Sequence, residues 1–203
     1  MRNTKEEILQ TALALFAQRG FDAVSVRDIA AVLGVSQSAL YKHYASKRDI
    51  FDRIVARMEE NDLLRARAFA MPEQRFAEQA EAYRHTALAQ IGSYSLAQFR
   101  YWTEDDFAAA FRKLLTLEQY RSPAMMTLYQ QYLAGGVVDY MEDVFRELPA
   151  GRARPPQTAR ELALAFYAPI YLLIGLYDGA ADKAAVTAQA ESHIARFISE
   201  LQK

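Results

Sequence analysis

The segment SVRDIAAVLGVSQSALYKHYASK, residues 25–47, constrains the fold of this chain most, because it contains start and stop signals for two short helices. Ser25 can cap a first helix over about residues 26–33, and Asp28, three positions later, completes a capping box. Gly34 ends this helix, since glycine adopts the left-handed conformation of a helix C-terminus at no steric cost. The segment therefore predicts two helices joined by a tight turn.

The second helix of the segment starts at Gln37, after a turn in which Ser36 is the cap. Apolar residues at helical spacing predict a buried seam between the two helices. The seam residues are Ile29, Ala30, Leu33, Val35 and Leu40. The side chains outside the seam are donors, acceptors and ring edges suited to a DNA major groove. They are Gln37, Ser38, Tyr41, Lys42, His43 and Tyr44.

Helical patterns on both sides of this segment favour a DNA-binding domain over an ordinary corner between two bundle helices. Upstream, a capping box at residues 4–7 opens a helix that ends at Gly20. Downstream, Ser46 opens a helix with a long apolar stripe. Residues 1–47 are therefore predicted to form a three-helix head, joined by a fourth helix at about residues 47–70.

The stretch ILQTALALFAQRGFDAVSVRDIAAVLGVSQSALYKHYASKRDIF resembles the TetR family of bacterial transcriptional regulators, and the likeness covers about the first fifty-five residues. The resemblance implies that Gln37, Ser38, Tyr41 and His43 face bases or the adjoining backbone. It also implies that a second group mostly holds phosphates. This group is Ser25, Arg27, Lys42, Tyr44 and Lys47. The alternatives are that His43 is an ordinary surface histidine and that one of the two tyrosine rings packs inward.

The charge distribution agrees with DNA binding at one end of the chain. Residues 1–57 carry nine Lys or Arg and six Asp or Glu, a balance of +3, whereas residues 58–203 carry fifteen and nineteen, a balance of −4. A basic head on an acidic body suits a protein that contacts nucleic acid with one end only. Lys47 and the first N–H groups of the fourth helix are expected to form a phosphate site.

The rest of the chain is predicted to be helical, because apolar residues recur at helical spacing between proline, glycine and capping signals. The expected helices run from Glu73 to about Ile91, from a capping box at residues 103–106, from Ser122 to about Leu148, from about Gln157 to Tyr177 and from Lys183 to about Leu201. A kink or split is expected at Gly135 and Gly136, and a loop at residues 149–156. The chain is therefore predicted to be all-α, with about nine helices.

Residues 166–177 are apolar nearly all round, so this helix must be covered on more than one side. A fully buried core helix in a monomer would satisfy that need. A twofold interface, in which the last two helices pair with their copies as a four-helix bundle, is favoured, and the TetR resemblance implies the same homodimer. The predicted interface residues are Tyr167, Ile170, Leu173, Ile174, Tyr177, Ile194, Phe197 and Ile198.

Residues 48–203 are predicted to form a helical effector-binding and dimerisation domain. Aromatic rings with polar tips can line an apolar cavity, and methionines can add an adaptable wall. Aromatic residues and methionines at helical spacing are also typical of an ordinary hydrophobic core. The prediction of a pocket for an apolar or aromatic small-molecule effector therefore rests on the resemblance to the family. The candidate ligand-binding residues are Phe99, Tyr101, Trp102, Met125, Met126, Tyr129, Tyr132, Tyr167 and Tyr171.

Several function classes are disfavoured by what the sequence lacks. The chain has no cysteine, which excludes disulfides, thiolate metal sites and cysteine nucleophiles and is consistent with the cytoplasm. The three histidines fall in separate predicted helices and no glycine-rich phosphate loop occurs, so we expect no enzyme activity, cofactor or metal. No signal peptide or uninterrupted run of eighteen apolar residues is visible, so no membrane partner is expected.

These observations predict a homodimeric transcriptional regulator that binds a near-palindromic operator in double-stranded DNA. The preferred hypothesis is a repressor that a small molecule releases by shifting the population of body conformations. The alternative is a DNA-bound adaptor or activator whose carboxyl-terminal domain docks a protein partner. An exposed apolar patch beyond the dimer interface would favour the adaptor, whereas an enclosed cavity would favour ligand sensing.

Overall fold

The computed structural model describes residues 4–73, 87–147 and 158–202, and every regular element in these ranges is an α-helix. The helices are α1 (Thr4–Arg19), α2 (Val26–Leu33), α3 (Gln37–Tyr41), α4 (Lys47–Ala68), α5 (Leu88–Glu104), α6 (Asp106–Glu118), α7 (Pro123–Leu133), α8 (Gly135–Arg146), α9 (Ala159–Gly179) and α10 (Lys183–Leu201). The all-α prediction is confirmed. Within the described ranges there is one helix more than predicted, because the expected helix from Ser122 is divided into α7 and α8.

Contacts along the chain divide the molecule into two compact units. The first unit comprises Met1–Asn61 and Asp106–Tyr129, and the second comprises Asp62–Asp105 and Gln130–Lys203. The predicted division after residue 47 followed the DNA-binding motif alone. The observed unit is larger because α6 packs along α1, so that residues distant in sequence join the amino-terminal helices. The assignment of one function to each part of the chain stays a prediction.

The helices α2 and α3 have the ends that the sequence predicts. Ser25 Oγ accepts a hydrogen bond from Asp28 N at 3.2 Å, and Asp28 Oδ2 accepts one from Ser25 N at 2.7 Å. Gly34 ends α2 with a φ of +67°, in the left-handed region. Ser36 Oγ accepts a hydrogen bond from Ala39 N at 3.2 Å and caps α3. The predicted capping box, terminal glycine and second cap are confirmed.

Aromatic rings form the core of the first unit. The ring centroids of Phe16 and Phe21 are 5.1 Å apart, and those of Phe21 and Phe51 are 5.4 Å apart. The seam side chains that are buried as predicted are Ile29, Ala30 and Leu40, while Leu33 is half-buried. Val35 is 40% exposed, so its predicted burial is wrong. It lies in the turn after Gly34, where its side chain contacts solvent instead of the seam.

Two charged side chains fix α6 within the first unit. Arg57 of α4 donates a hydrogen bond to Glu6 of α1, and its guanidinium lies 4.5 Å from the ring centroid of Phe107 in α6. Glu118, only 2% exposed, accepts a hydrogen bond from Phe21 N at 3.1 Å. These contacts join α1, α4 and α6.

The helix α5 departs from the sequence prediction. We expected a helix end near Ile91, before Gly92, but α5 begins at Leu88 and continues to Glu104. An interior glycine costs a helix only about 1 kcal/mol. The packing of α5 on α10 outweighs that cost. Residues 74–86, which include most of the helix predicted from Glu73, lie outside the described residues.

The predicted capping box at residues 103–106 is wrong. Thr103 Oγ1 donates a hydrogen bond to Phe99 O at 2.8 Å, because α5 continues through Thr103 and the hydroxyl bonds to its own helix. The next helix, α6, begins only at Asp106, and Asp105 between them is extended. The apolar stripe of α6 is nevertheless buried. Its members are Phe107, Phe111, Leu114 and Leu115.

The second unit contains the close glycine contact that separates α7 from α8. A Cβ at Gly136 would lie 2.4 Å from Gln131 O, which is closer than such atoms pack. The predicted split at Gly135 and Gly136 is confirmed. Further along, α9 continues through Pro169 from a cap at Thr158, and α10 has its predicted bounds. The loop predicted at residues 149–156 lies outside the described residues.

Candidate DNA-binding surface and effector cavity

Seven of the nine predicted DNA-contacting residues are exposed at the helix-turn-helix of the first unit. We call this set the recognition surface. It consists of Ser25, Arg27, Gln37, Ser38, Tyr41, Lys42 and His43. Two of its side chains precede or begin α2, and the others belong to α3 or to the residues directly after it.

The recognition surface faces outward because Leu40 holds the opposite side of α3. Leu40 is 1% exposed, whereas its neighbour Tyr41 is 53% exposed. Successive side chains of a helix point about 100° apart, so burial of one side turns the other towards solvent. The hydroxyls of Ser36 and Ser38 are 2.9 Å apart, which also orients Ser38. The result is a short helix with one apolar anchor and a polar outer side.

The chemistry of the recognition surface matches the two kinds of contact that DNA offers. The Gln37 amide can pair in bidentate fashion with an adenine, and the Tyr41 ring can contact a thymine methyl group. Arg27 and Lys42 carry positive charge in exposed positions, where phosphate oxygens are the natural partners. These pairings are expected from residue type and exposure.

Tyr44 is the tyrosine that packs inward. It is 6% exposed, and its hydroxyl donates a hydrogen bond to Lys5 O at 3.2 Å. Burial raises the pKa of this phenol above its usual range. The phosphate contact predicted for Tyr44 is therefore corrected, because the side chain joins α1 to the end of the helix-turn-helix.

The Lys47 side chain also makes contacts within the first unit. Its Nζ donates a hydrogen bond to Phe21 O at 2.7 Å and lies 4.3 Å from the ring centroid of Phe21. The side chain is half-buried at the start of α4. It holds the chain segment after α1 against α4, and the phosphate contact predicted for Lys47 stays a prediction, because an ammonium has three donors.

The acidic groups near the recognition surface are engaged in local contacts. The hydroxyl of Ser25 hydrogen-bonds the Asp28 carboxylate, and this contact together with the Ser25 N–H lowers the pKa of that carboxyl. Asp49 accepts a hydrogen bond from Ala45 N at 2.8 Å. Asp52 pairs with Arg48 at 2.8 Å. These carboxylates cap helices or pair with a cation within the head.

The second unit contains a cavity of about 260 Å³. Its walls come from the end of α4, from α5, from the end of α7 and from α8 and α9, together with Pro72 and Glu73. Four predicted ligand-binding residues line it. They are Phe99, Trp102, Tyr132 and Tyr167. The prediction of an aromatic pocket is therefore matched by a cavity, although not by every residue named for it.

Five predicted ligand-binding residues lie elsewhere. Met125, Met126 and Tyr129 belong to the first unit. The ring of Tyr101 instead stacks on the Arg65 guanidinium, 3.3 Å from its centroid, and Tyr171 is 43% exposed. Each of these positions depends on which side of its helix packs inward, and aromatic character alone does not specify that side.

Sequence reasoning missed the polar side chains of the cavity. They include Asp62, Glu73, Tyr94, Gln98, Gln131 and Tyr140. A usable signal existed for two of them, because Tyr94 and Gln98 are four residues apart and interrupt the apolar side of α5. Gln98 Nε2 donates to the Tyr94 hydroxyl at 2.8 Å, and Arg65 Nε donates to Gln98 Oε1 at 2.7 Å.

The predicted dimer residues require a correction. Six of the eight are buried within the single chain, namely Ile170, Leu173, Ile174, Tyr177, Ile194 and Ile198. The apolar side chains that α9 exposes are instead Leu164, Tyr171, Leu172 and Leu176. We call these four the outer side of α9. The prediction took the most apolar positions of the helix, but those pack against α5, α8 and α10 inside the unit.

Comparison with known proteins identifies the amino-terminal part of the chain. Residues 8–54 match the family model of bacterial regulatory proteins, tetR family. The ketosteroid transcriptional regulator KstR2 of Mycobacterium tuberculosis has the same fold with a TM-score of 0.66, at 20% identity over 98% of this chain and 95% of that one. The amino-terminal part of the chain therefore matches the TetR family.

Other TetR-like structures and relatives define the extent of this likeness. The SmeT–triclosan complex, from the repressor of a Stenotrophomonas maltophilia efflux pump, gives a TM-score of 0.65 at 17% identity, covering 98% of this chain and 91% of SmeT. In sequence, KstR2 is 40% identical over 55 residues, which are 27% of this chain and 28% of KstR2. The nucleoid occlusion factor SlmA of Escherichia coli is 40% identical over 65 residues, 32% of this chain and 33% of SlmA. The chain thus matches a third or less of the length of these relatives.

The helix α9 also has the length and composition of a membrane-spanning helix. It has 21 residues, and an 18-residue window within it reaches a mean hydropathy of 1.5. The core helix of a folded domain passes the same test. Phe166, Ile170 and Ile174 of α9 line the cavity, so one side of the helix packs within the unit.

Proposed function

We propose that this chain is a homodimeric, sequence-specific transcriptional regulator of the cytoplasm, which represses by binding a near-palindromic operator and is released by a small molecule. The observation that carries the proposal is the recognition surface, in which the capped helix α3 buries Leu40 and exposes Gln37 and Tyr41. Polar and aromatic side chains on such a helix are suited to reading base edges in a major groove. KstR2 and SmeT, which share the fold, are both named as repressors.

The outer side of α9 supports the homodimer. Leu172 and Leu176 are 60% and 52% exposed, one helical turn apart. The neighbouring helix α10 exposes small side chains at helical spacing, namely Ala185, Ala188, Ser192, Ala195 and Ser199. Small residues permit close helix approach, and exposed leucines gain free energy when covered. A twofold bundle of α9, α10 and their copies would use both sets.

Dimerisation would account for operator length. One recognition helix reads only a few base pairs, whereas two copies about 34–36 Å apart read an inverted repeat on one side of the duplex. The cavity supports ligand control, because a ligand that prefers one conformation of the second unit changes operator affinity. A tenfold change needs only about 1.4 kcal/mol of coupling.

The cavity favours a ligand sensor over a protein-docking adaptor. Small-molecule sites are concave and mainly apolar, with polar groups that can orient a ligand, and this cavity has the same character. Tyr120, at 85% exposure, and Leu117, at 41%, are exposed apolar side chains beyond the outer side of α9. Two such side chains near the end of α6 are ordinary for a protein surface and do not form an extended patch.

Selection of bound fragments from random DNA tests the operator proposal. We expect enrichment of an inverted repeat whose half-site centres lie about one helical turn, or a multiple of it, apart. Footprinting of the enriched sequence should protect both halves. Failure to enrich any sequence in dilute buffer, or binding of a monomer to a single unrepeated half-site, would contradict the proposal.

Light scattering of purified variants tests the dimer. Leu172→Glu should give a monomer that binds the operator more weakly, because it places a charge in the proposed interface. Leu64→Glu is the matched control, since Leu64 is 57% exposed and belongs to α4, which is not one of the two helices of the proposed interface. It should remain a dimer. A wild-type protein that is monomeric at micromolar concentration would contradict the proposed assembly.

A further inference from the structure

The cavity of the second unit has two carboxylates among otherwise uncharged lining side chains. Asp62 reaches it from α4, and Glu73 reaches it from the segment after that helix. Among the described residues that line the cavity there is no lysine, arginine or histidine. The charged side chains among the described lining residues are therefore both acidic, which favours a cation over a carboxylate or phosphate ligand.

Arginines outside the lining pair with both carboxylates. Arg65 donates a hydrogen bond to Asp62. Arg67 Nε and Glu73 Oε2 are 2.8 Å apart. A carboxylate has about four lone-pair sites, so an ion pair with one arginine uses only part of its acceptor capacity. These ion pairs orient the carboxylates without placing an arginine among the described residues that line the cavity.

The phenol groups of the cavity add acceptors more than donors. The Tyr140 hydroxyl donates to Pro72 O at 3.2 Å, and the Tyr167 hydroxyl donates to Leu133 O at 2.9 Å. A phenol has one proton to donate, so towards a ligand these two oxygens act as acceptors. A ligand with N–H donors is complementary to such walls.

Aromatic faces complete the match to a cation. Seven of the lining side chains carry aromatic rings, including Phe99, Trp102 and Phe166. The face of an aromatic ring attracts a cation electrostatically, and the attraction strengthens when water is excluded. Burial raises the pKa of Tyr94 to about 12; the Asp62 charge adds to this shift and the Arg65 charge opposes it.

The volume limits the size of the ligand. At about 260 Å³ the cavity is smaller than the roughly 300–1,000 Å³ of common small-molecule sites. A ligand of one ring or two fused rings with a short amine arm would fill it. Gly136 contributes to the available space, because it lies in the lining and has no side chain.

We propose that this cavity binds a small aromatic organic cation, such as a protonated primary amine, with its charge near the Asp62 and Glu73 carboxylates and its rings against the aromatic walls. The inference rests on the proposed function, since it names the chemical class of the effector. Anionic aromatic compounds of the same size are excluded by the two carboxylates, and neutral ones lack the charge contact.

Calorimetry with three probes of one shape tests the proposal without any DNA. The probes are naphthylmethylamine, naphthylmethanol and naphthoate, which differ in charge and share one ring system. At neutral pH the full-length protein should bind the amine about tenfold or more tightly than the alcohol, as expected for a charge-assisted contact in a partly buried site. It should bind naphthoate least. Equal binding of the amine and the alcohol, tighter binding of naphthoate, or no binding of the amine at millimolar concentration would overturn the proposal.

Variants locate the bound charge. Asp62→Asn and Glu73→Gln should each weaken binding of the amine about tenfold and leave naphthylmethanol unchanged. Glu59→Gln is the matched control, because Glu59 is exposed on α4 and does not line the cavity. It should bind as the wild type does. If thermal melting shows that Asp62→Asn is unfolded, Glu73→Gln and the three probes on the wild type still decide the outcome. If both single variants are folded and bind the amine with the affinity of the wild type, the proposal is overturned.

A separate gel-shift experiment distinguishes failure of the inference from failure of the proposed function. If the amine binds selectively but leaves operator affinity unchanged, the ligand class stands and release by that ligand fails. If the protein binds its operator but naphthoate occupies the cavity more tightly than the amine, regulation stands and the cationic ligand class is wrong.

Discussion

The recognition surface and the cavity are built by opposite means. The recognition surface depends on contacts between residues close in sequence, such as the cap at Ser25 and the glycine at position 34, and it exposes its polar groups. The cavity depends on side chains from five helices and encloses its aromatic groups. We infer that substitutions on the surface change function with little effect on folding, whereas substitutions in the cavity change both.

The largest expected effect comes from removing a side chain that belongs to both the cavity and the core. Phe166 is 1% exposed and lies 5.0 Å from Phe197 and 5.6 Å from Phe145 between ring centroids. Phe166→Ala should lower the free energy of unfolding by about 3–5 kcal/mol, because it loses apolar burial and leaves a void. Denaturant unfolding followed by the fluorescence of Trp102, the single tryptophan, measures this change.

The control for this variant is an apolar side chain of the first unit that solvent already reaches. Leu117 is 41% exposed, so Leu117→Ala should change stability by no more than about 0.5 kcal/mol. If the two variants were equally stable, the distinction between a packed cavity wall and an ordinary surface would be lost.

A substitution on the recognition surface should produce the reverse pattern. Gln37→Ala removes an exposed amide, so it should cost about 1–3 kcal/mol of discrimination at one base position. The melting temperature should stay that of the wild type. Competition binding against operators changed at single positions measures the discrimination.

Lys42→Ala separates base reading from phosphate binding on the same surface. It should weaken binding to all sequences alike and reduce the slope of log affinity against log salt by about one. If Gln37→Ala behaved in this uniform way, or if it destabilised the fold, Gln37 would not be a base-reading residue.

The same contrast explains which features the sequence could predict. The ends of α2 and α3 were predictable, because Ser25, Asp28 and Gly34 act on their immediate neighbours. The burial of Tyr44 was not predictable at the same level, since its partner carbonyl belongs to Lys5, 39 residues away. Local signals define a helix end, whereas tertiary contacts decide which side chain remains free to bind.

The cavity shows the limit of pattern reasoning more clearly. Phe99 and Trp102 were predicted from aromatic character, but Asp62 was missed because an acidic residue near the end of a helix has no local mark of burial. The prediction that a helix ends at Gly92 was wrong for a related reason. Packing between α5 and α10 keeps Gly92 inside a helix. Both features depend on which helices meet.

Gly34→Ala sharpens the comparison by testing a purely local feature. A Cβ at Gly34 meets nothing within 4 Å, so the only cost is the left-handed backbone at φ +67°. We expect a loss of about 1–2 kcal/mol in the free energy of unfolding. Gly179→Ala is the control, because its surroundings are also open and its φ is not positive. A wild-type melting temperature for Gly34→Ala would show that α2 can end without this conformation.

The smallest expected effect is on the pH dependence of the melting temperature. It tests whether helix capping contributes differently to the stability of the two units. Hydrogen bonds from the Ser25 hydroxyl and N–H lower the pKa of Asp28 in the first unit, and hydrogen bonds from the Thr158 N–H and hydroxyl lower that of Glu161 in the second. A carboxyl whose pKa is lower in the folded state stabilises the fold above its unfolded pKa, and this contribution is lost as the pH falls through the folded pKa.

Asp28→Asn and Glu161→Gln should therefore melt below the wild type at neutral pH, and the difference should shrink as the pH falls below about 4. Both groups are exposed, so each difference should be small and should shrink further in high salt. Melting curves from neutral pH to about pH 3 measure it. If both variants lose the same melting temperature, helix capping contributes equally to the stability of the two units. The contrast between the recognition surface and the cavity then arises from long-range packing. If the difference in melting temperature persisted in acid, the carboxylate charge would not be the source of the stabilisation by these caps.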